Sequence, residues 1–597
     1  MENIEAKFLI ANLLGRIVKD ANGTMSLPGV LTASEYAALT IALARLSSTG
    51  STIQPTPVDT PVPTAARPAS AAPAAPAAPA INSVEPPSIP PIAPSVSAPV
   101  VVPVEQPASP PLPALVEIDS SVLSLPQVEN MRLCLDFGTA MSKATLVHDD
   151  EPEHIFVLEL GKPGDQEQLS PVMLISSVYI DNEGLIWFGK SAVDRSQIEG
   201  NDGSRQRLDN IKRRLSEDGY NERVSTPTFA PEGVKVTYAE MIIAYLMFLT
   251  WATNRSLESL GYPRNIRRRF AMPCFPGEKS RDVSHTLRKS LGEAQILADT
   301  FSDSMMDGIP VSTFVEAVKS VKAAKFDFPF MGEDITEPLG VAGALMSWRN
   351  RVDMLVMVVD VGAGTSDFSL YRVVVDPQRY ENTAMEISSS ARGITEAGNY
   401  LDRVLIEFIL KKAGITSSDH DAVLARGKLE LNIRDYKETL FNEGFVFIAM
   451  SNNLDVEIEL NEFLSLEAVT LFGKSLKDAM ENILETVDES VVDWILANPG
   501  RYLTIALTGG GAMLPMVQDL AREPLTIRGQ KVRVQAALPF PKWLQEDYSE
   551  LEDDFARIAV SLGGARKRLV NRGAGATIIG GDLQQPPKLG GFYLRGN

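Results

Sequence analysis

Three short stretches combine acid, glycine and hydroxyl in one pattern. In LCLDFGTAMSKATLV (residues 133–147) an alternating apolar strand ends in Asp136 and turns on Gly138, Thr139, Ala140 and Met141 before Ser142. In VVDVGAGTSDFSL (358–370) a strand reaches Asp360, turns through Gly362, Ala363, Gly364 and Thr365, and returns with Asp367. In LTGGGAMLPMVQDL (507–520) a strand runs into Gly509, Gly510 and Gly511 and then a helix. A carboxylate at the end of a buried strand is costly unless a cation or donor compensates its desolvation. Glycine turns let backbone N–H groups approach phosphate oxygens. Each turn alone is more often a plain hairpin or helix cap. Two duplicated acidic turns followed by a Gly-rich helix start form one set in chain order, for which a magnesium nucleotide is one candidate.

Elements that alternate must position these residues. From about 131 to 570, strand-like runs (MRLCLDF, MLVMVVDV, YLTIALTG) alternate with helical ones (EMIIAYLMFLTWATNRSLESL, YLDRVLIEFILKKAG, SLKDAMENILETVDESVVDWIL). That order predicts α/β sheets with crossover helices. A literal phosphate-loop pattern, GLIWFGKS at 184–191, is set aside. Leu185, Ile186, Trp187 and Phe188 are bulky strand formers behind the turn DNEG, which predicts a β-hairpin instead of a flexible cradle.

Outside this region the composition changes. Residues 1–48 carry helical periodicity: Phe8, Leu9, Leu13, Ile17 and Val18 line one predicted helix, and Thr32 with Glu35 makes a capping box for a second. Two such helices cannot form a stable core alone, which predicts a partner-binding or dimerising unit. Residues 49–125 hold 19 of the chain's 40 prolines, between Pro55 and Pro113, with little charge, and read as a disordered tether of roughly 200 Å contour at about 3 Å per residue. The folded domain is assigned to 126–572 and a loose Gly/Pro-rich tail to 573–597.

The formal net charge of −20 argues against a broad nucleic-acid or anionic-membrane surface. RNIRRRF (Arg264, Arg267, Arg268, Arg269) reads as a solvated turn before a buried strand. The four histidines are scattered, without metal-ligand spacing, and Cys134 and Cys274 read as core residues of a reducing compartment. The start MENIEAKFLIANLLGRIV lacks a basic signal-peptide region, and no run of about 18 apolar residues occurs, so the expectation is a cytoplasmic protein without a transmembrane segment.

In chain order the three stretches resemble the actin, hexokinase and DnaK superfamily of two-lobed ATPases. Further segments resemble the nucleotide-binding domain of DnaK-type heat-shock chaperones. RLDNIKRRL carries Lys212 where that family has its catalytic lysine. FAMPCFPGEKSRD matches the proline-switch segment with Pro273 and Arg281, and TEPLGVAGAL places Glu337 before the interlobe helix. ITEAGNYLDRVL matches a helix entry from Gly398 to Asp402, and PMVQDL and DFARIAVSLGGA fit the last helices. The likeness runs over about 440 residues in unbroken order. It implies an α/β, actin-like fold of two lobes, each a ribonuclease-H-like mixed sheet, with ATP and Mg²⁺ as cofactors. Asp136 and Asp360 would hold hydrated Mg²⁺, and Lys212 would place positive charge near the γ-phosphate and attacking water. Glu337 would orient water or metal ligands, Thr365 would donate to the γ-phosphate, Asp367 would position water, and Pro273 and Arg281 would relay between lobes.

The chain departs from that family in three respects. The adenine-clamping arginines are absent: the relevant helix offers Lys428 or Lys437 followed by Leu429 or Glu438, and the third Gly-rich segment has Met513. A peptide-binding β-sandwich and its linker are not recognisable after the ATPase region. The implied function is an ATP-hydrolysing switch that couples lobe closure to a protein partner held by residues 1–48 or by the tail aromatics Phe592 and Tyr593. The alternatives are a nucleotide-binding scaffold with little turnover, an actin-like polymerising ATPase and a small-molecule kinase.

Overall fold

The computed structural model describes residues 116–571, apart from short internal pieces, and, in the amino-terminal part, the strand pair Val18–Lys19 and Met25–Ser26. Contacts separate the chain into units Met1–Ala108 and Ser109–Asn597. In the first unit Val18 pairs with Ser26 and Lys19 with Met25, antiparallel. Val18 therefore belongs to a strand instead of ending the predicted helix. The intervening sequence, DANGT, contains Asn-Gly, the strongest short-range hairpin signal. The remaining expectations for residues 1–115 and for the tail from 572 lie outside the described residues.

Two sheets of the same design organise the second unit. The first contains β1 (Val128–Asp136), β2 (Met141–His148), β3 (His154–Val157), β4 (Ile266–Met272) and β5 (Met331–Thr336). Its order is β3-β2-β1-β4-β5: an antiparallel meander whose first strand pairs parallel with β4, and β4 with β5. The second contains β6 (Val352–Val361), β7 (Ser366–Asp376), β8 (Glu381–Glu386), β9 (Leu503–Thr508) and β10 (Val534–Ala536). Its order, β8-β7-β6-β9-β10, repeats the same parallel and antiparallel pattern. Even the extra short strands correspond, with Leu174–Ile175 on β2 and Arg392–Ile394 on β7. The central strands read as continuous apolar runs because helices cover both faces.

Six helices matter for the site: α1 (Tyr238–Ser259), α2 (Gly277–Thr300), α3 (Glu337–Leu345), α4 (Gly398–Lys412), α5 (Ala422–Glu443) and α6 (Phe555–Ala565). A capping box between Thr237 and Glu240 starts α1, which is apolar nearly all round and buried in the first lobe. Among the described residues no helix is long and apolar enough to cross a membrane. Separate cores fill each lobe, and a third links them through Ala271 and Ile335 of the first sheet, Val356 and Val358 of the second, Leu339 of α3 and Ile558 of α6. There α3 and α6 cross at glycines. A Cβ on Gly563 would lie 1.8 Å from the Gly340 carbonyl oxygen, and one on Gly340 2.5 Å from that of Val560.

Two sequence expectations change and a third is extended. Residues 116–125, assigned to the tether, pack on the first lobe: Val122 is buried, the Asp119 N–H donates to Thr300 Oγ1, and Ser121–Ser124 forms a 3₁₀ turn. The proline-rich run ends at Pro113, and VEIDSSVL (116–123) then supplies apolar anchors. Arg267, Arg268 and Arg269 lie within β4 instead of a solvated turn. Arg268 is buried, donating to Asn254 Oδ1 and the Arg264 carbonyl, and Arg269 donates to the Gly564 and Arg566 carbonyls. Finally, Val178–Ile180 and Leu185–Phe188 do form the expected hairpin, and Gly189 then opens a helix, Gly189–Glu199. Its Lys190 pairs with Asp194, one turn along the same helix.

Candidate functional site

The strand ends determine where the acids stand. Asp136 is the last residue of β1 and pairs in register with Lys143 on β2, whose Nζ lies 3.3 Å from its Oδ2. Asp360, one residue before the end of β6, pairs in register with Asp367 on β7. Both turns fall at the same end of equivalent strands, and they meet: a Cβ on Gly364 would lie 2.8 Å from Thr139 Oγ1. Glycine is required there by close approach between the lobes. The first turn is held by a hydroxyl network. Ser176 donates to the Gly138 carbonyl at 2.8 Å, the Gly138 N–H donates to Ser142 Oγ at 3.2 Å, and Tyr245 donates to Ser142 Oγ at 3.0 Å. The second turn closes by Gly362 N–H donating to the Thr365 carbonyl.

Helix and loop elements complete the cluster. Glu337 is the first residue of α3 at the end of β5, and it pairs with Lys212 from the 3₁₀ segment Ile211–Leu215. Asp136, Lys212, Glu337, Asp360 and Asp367 are each between 1% and 9% exposed. Thr365 donates to Asp367 Oδ2 at 2.7 Å, and the Cys274 N–H donates to its Oδ1 at 2.6 Å. A narrow pocket opens on Thr139, Lys212, Pro273 and Thr365, with Val283 and Leu287 of α2 as its apolar wall.

The electrostatics follow from this crowding. Burial, and then Glu337, Asp367 and Asp136, push the Asp360 carboxyl well above the usual range. Burial and Glu337 push Asp367 up to about 7, against the lowering effect of the Thr365 and Cys274 hydrogen bonds. Burial alone would lower the Lys212 ammonium, but Glu337, Asp136 and Asp367 outweigh it and hold the pKa above its ordinary value. Carboxylates outnumber cations, so the cluster favours an added positive charge.

The other expected residues fall around this centre. Gly509 and Gly511 pack on β6: a Cβ on Gly509 would lie 2.4 Å from Asp360 Oδ1, and the Gly511 N–H donates to the Val361 carbonyl at 2.9 Å. Space around Gly510 is open. Gly398 at the start of α4 donates to the Gly362 carbonyl, and the next N–H donates to Ala363. Lys437 on α5 reaches Asp402 at 2.6 Å and the Gly398 carbonyl at 3.3 Å, whereas Lys428 reaches the Ala449 carbonyl. Lys437 is thus the lysine next to the second turn. Met513 is 79% exposed on the turn after the glycines. Arg281 is not drawn to the site. It sits half exposed on α2, 3.7 Å from Glu278, one turn earlier.

Sequence reasoning missed Lys143, Asn399 and the Cys274 N–H. Lys143 had a legible signal, since it lies seven residues after Asp136 across a hairpin. Asn399 is buried beside the second turn, and neither of its side-chain amide atoms has a partner among the described residues. Nothing in its local pattern singles it out.

The chain is similar to curated chaperones over part of its length. It is 23% identical over 252 residues to Chaperone protein dnaK1 of Prochlorococcus marinus, covering 40% of this chain and 35% of that one. It is 24% identical over 202 residues to Chaperone protein dnaK3 of Thermosynechococcus vestitus, covering 32% and 27%. A third relative, Chaperone protein DnaK of Mycoplasmoides gallisepticum, is 25% identical over 205 residues, covering 31% and 30%. The fold is the two-lobed actin-like ATPase fold. Two sheets of the same order, whose acidic turns meet at Gly364 and Thr139, and two helices that cross at Gly340 and Gly563 make up that fold here. The chain spans about a third of the length of these relatives. No protein-family model matches it.

Proposed function

We propose that the protein is a DnaK-like, Mg-dependent ATPase that works as a molecular switch, coupling lobe closure on ATP to the binding of a protein partner. The observation that carries this reading is the buried cluster of Asp136, Asp360, Asp367 and Glu337 around Lys212, at the contact between two equivalent glycine turns.

The residues fit the implied cofactors. Hard carboxylate oxygens in excess of nearby cations suit Mg²⁺. The glycine cradles, and the unpartnered Asn399 amide beside Ala363, suit a nucleotide. When bound, Mg²⁺ neutralises charge that develops on the phosphate oxygens during hydrolysis.

The chain's own side chains then divide the work. Asp136 and Asp360 would hold the hydrated ion, and Lys212, fixed by Glu337, would keep a positive charge beside the phosphate. Thr365 and the N–H groups of residues 138–141 and 362–364 orient phosphate oxygens. Asp367, raised to about 7, is tuned to position and deprotonate water near neutral pH. Gly509, Gly510 and Gly511 leave room for the nucleoside, with Lys437 and Met513 replacing arginine clamps. Pro273 lines the pocket and precedes the N–H that binds Asp367, which supports its role as an interlobe relay. The partner would be held by residues 1–48 or by the segment with Phe592 and Tyr593. Two buried free cysteines suit a reducing cytoplasm.

The test is ATP hydrolysis and calorimetric Mg-ATP binding by wild type beside Lys212→Ala. The expected result is turnover lost by at least about a hundredfold, the scale of removing one charge-stabilising donor, with binding retained. Tight binding without wild-type turnover would replace the switch by a nucleotide-binding scaffold, and nucleotide-dependent sedimentation would favour a polymerising ATPase.

A further inference from the structure

The side of α2 opposite the ATP pocket carries a second concave site. Val283 and Leu287 wall the ATP pocket, while His285, Arg288 and Lys289 open onto a cavity of about 380 Å³. Its far wall is the end of the helix Val311–Ala324, with Lys322 and Lys325, and the strip Phe326–Phe328. Arg288, Lys289, Lys322 and Lys325 therefore surround one opening that Glu293 and Asp327 also line, an excess of cations over carboxylates on a chain of net charge −20.

A solvated basic surface would account for exposed lysines alone, and Lys322 also suits the negative end of its helix. Three observations go further. Among the described residues neither Lys322 nor Lys325 has a carboxylate at ion-pair distance. Glu293, 3% exposed, lines the same cavity, and its Oε1 accepts no hydrogen bond, its nearest cation being Lys289 Nζ at 3.9 Å. Two aromatic rings line the wall, that of Phe328 seated so tightly against α2 that a Cβ on Gly292 would lie 2.2 Å from it. Burial raises the Glu293 carboxyl above its ordinary range against the pull of Lys322 and Lys289, so the group gains from a hydrogen-bonding partner.

We propose that this cavity is a binding site for a nucleoside phosphate, distinct from the ATP pocket on the other side of α2. The cations take the phosphate, the Phe326 and Phe328 rings take the base, and Glu293 takes a ribose hydroxyl or base amino group. A bare anion would leave both the rings and Glu293 unused, and the volume is that of a small-molecule site. Occupancy would be felt at the active site, because Arg288 also donates to the Gly332 carbonyl of β5, the strand that leads into Glu337.

The probe is adenosine monophosphate, titrated by calorimetry into the full chain with inorganic phosphate as control. Wild type should bind it in a salt-sensitive manner. Lys322→Glu/Lys325→Glu, both exposed and tolerant of change, should weaken it at least tenfold, and Phe326→Ala should weaken it severalfold. Lys437→Ala, beside the ATP pocket, should leave it unchanged. Loss of binding in Lys437→Ala but not in the lysine double variant would place the probe in the ATP pocket and overturn the proposal. So would absence of binding at millimolar probe, or phosphate binding as tightly as the nucleotide with no effect of Phe326→Ala.

Discussion

Asp367→Asn should stabilise the nucleotide-free, Mg-free protein at pH 8 while abolishing the proposed ATP hydrolysis. Asp367 is 1% exposed, and its pKa is raised by burial and Glu337 to about 7 from an ordinary value of 3.8. A folded-state pKa above the unfolded one means that the native state holds the proton more tightly. Stability is therefore full below about pH 4 and falls as pH rises to about 7, beyond which the loss is constant. The ceiling on that loss is on the order of 4 kcal/mol, three pKa units at about 1.4 kcal/mol each, and coupling to Asp360 shares it between two groups. Asparagine keeps the geometry: its oxygen can accept from the Cys274 N–H, and its amide can face Thr365, now acting as acceptor. The expected gain is about 1–4 kcal/mol at pH 8 and close to zero at pH 4, read from urea denaturation in chelator at both pH values. An equal gain at both pH values would refute the charge argument, and a loss at pH 8 would show that the carboxylate is stabilised in a way this geometry does not contain.

Other outcomes follow from the same contacts. Gly563→Ala puts a Cβ 1.8 Å from the Gly340 carbonyl oxygen and 2.4 Å from the Ala344 nitrogen, so α3 and α6 must separate. It should cost about 1–3 kcal/mol in a denaturation experiment and reduce turnover, since the lobes share that crossing. Lys437→Ala removes the ion pair with Asp402 and the bond to the Gly398 carbonyl, and should raise the Kd for Mg-ATP at least fivefold by calorimetry while leaving the melting temperature within a few degrees. Chelating Mg²⁺ should stop hydrolysis and lower nucleotide affinity; turnover that survives chelation would remove Asp136 and Asp360 from the role given them.

The parts of this fold that sequence made legible are those where local chemistry and position coincide. A strand ending in Asp and turning on glycine occurs twice because two equivalent sheets need the same corner, and the repeat is visible without knowing how the lobes meet. Arg268 and Arg269 mislead for the opposite reason. Four arginines within six residues look solvated, yet two are buried by carbonyl and amide acceptors on Asn254, Arg264, Gly564 and Arg566, up to about 300 residues away in the chain. Asn399 is hidden in the same sense: a polar residue in the first turn of a helix is unremarkable until its neighbours are known. The choice between Lys428 and Lys437 also needed three dimensions, because both occupy one helix and only the crossing with α4 decides which reaches Gly398.

The base end is where the proposed site departs most from a DnaK-type pocket. Met513, proposed to stand in place of one clamping arginine, is largely exposed, and Lys437 on α5 is paired with Asp402. An arginine clamp stacks two cations on adenine and rejects a loose fit. Methionine is polarizable and adaptable, so it packs on many ring shapes with little orientation preference. The proposed phosphate end, by contrast, has paired acids, a lysine and two glycine turns. Phosphate recognition without a rigid base clamp predicts tight, Mg-dependent binding with weak discrimination between bases. Mg-GTP should therefore bind within about tenfold of Mg-ATP, a difference of at most about 1.4 kcal/mol. Met513→Arg should widen the gap in favour of ATP. A strong wild-type preference for adenine would mean that Asn399 and the glycines around it read the base directly, and Asn399→Ala would then be the substitution that removes it.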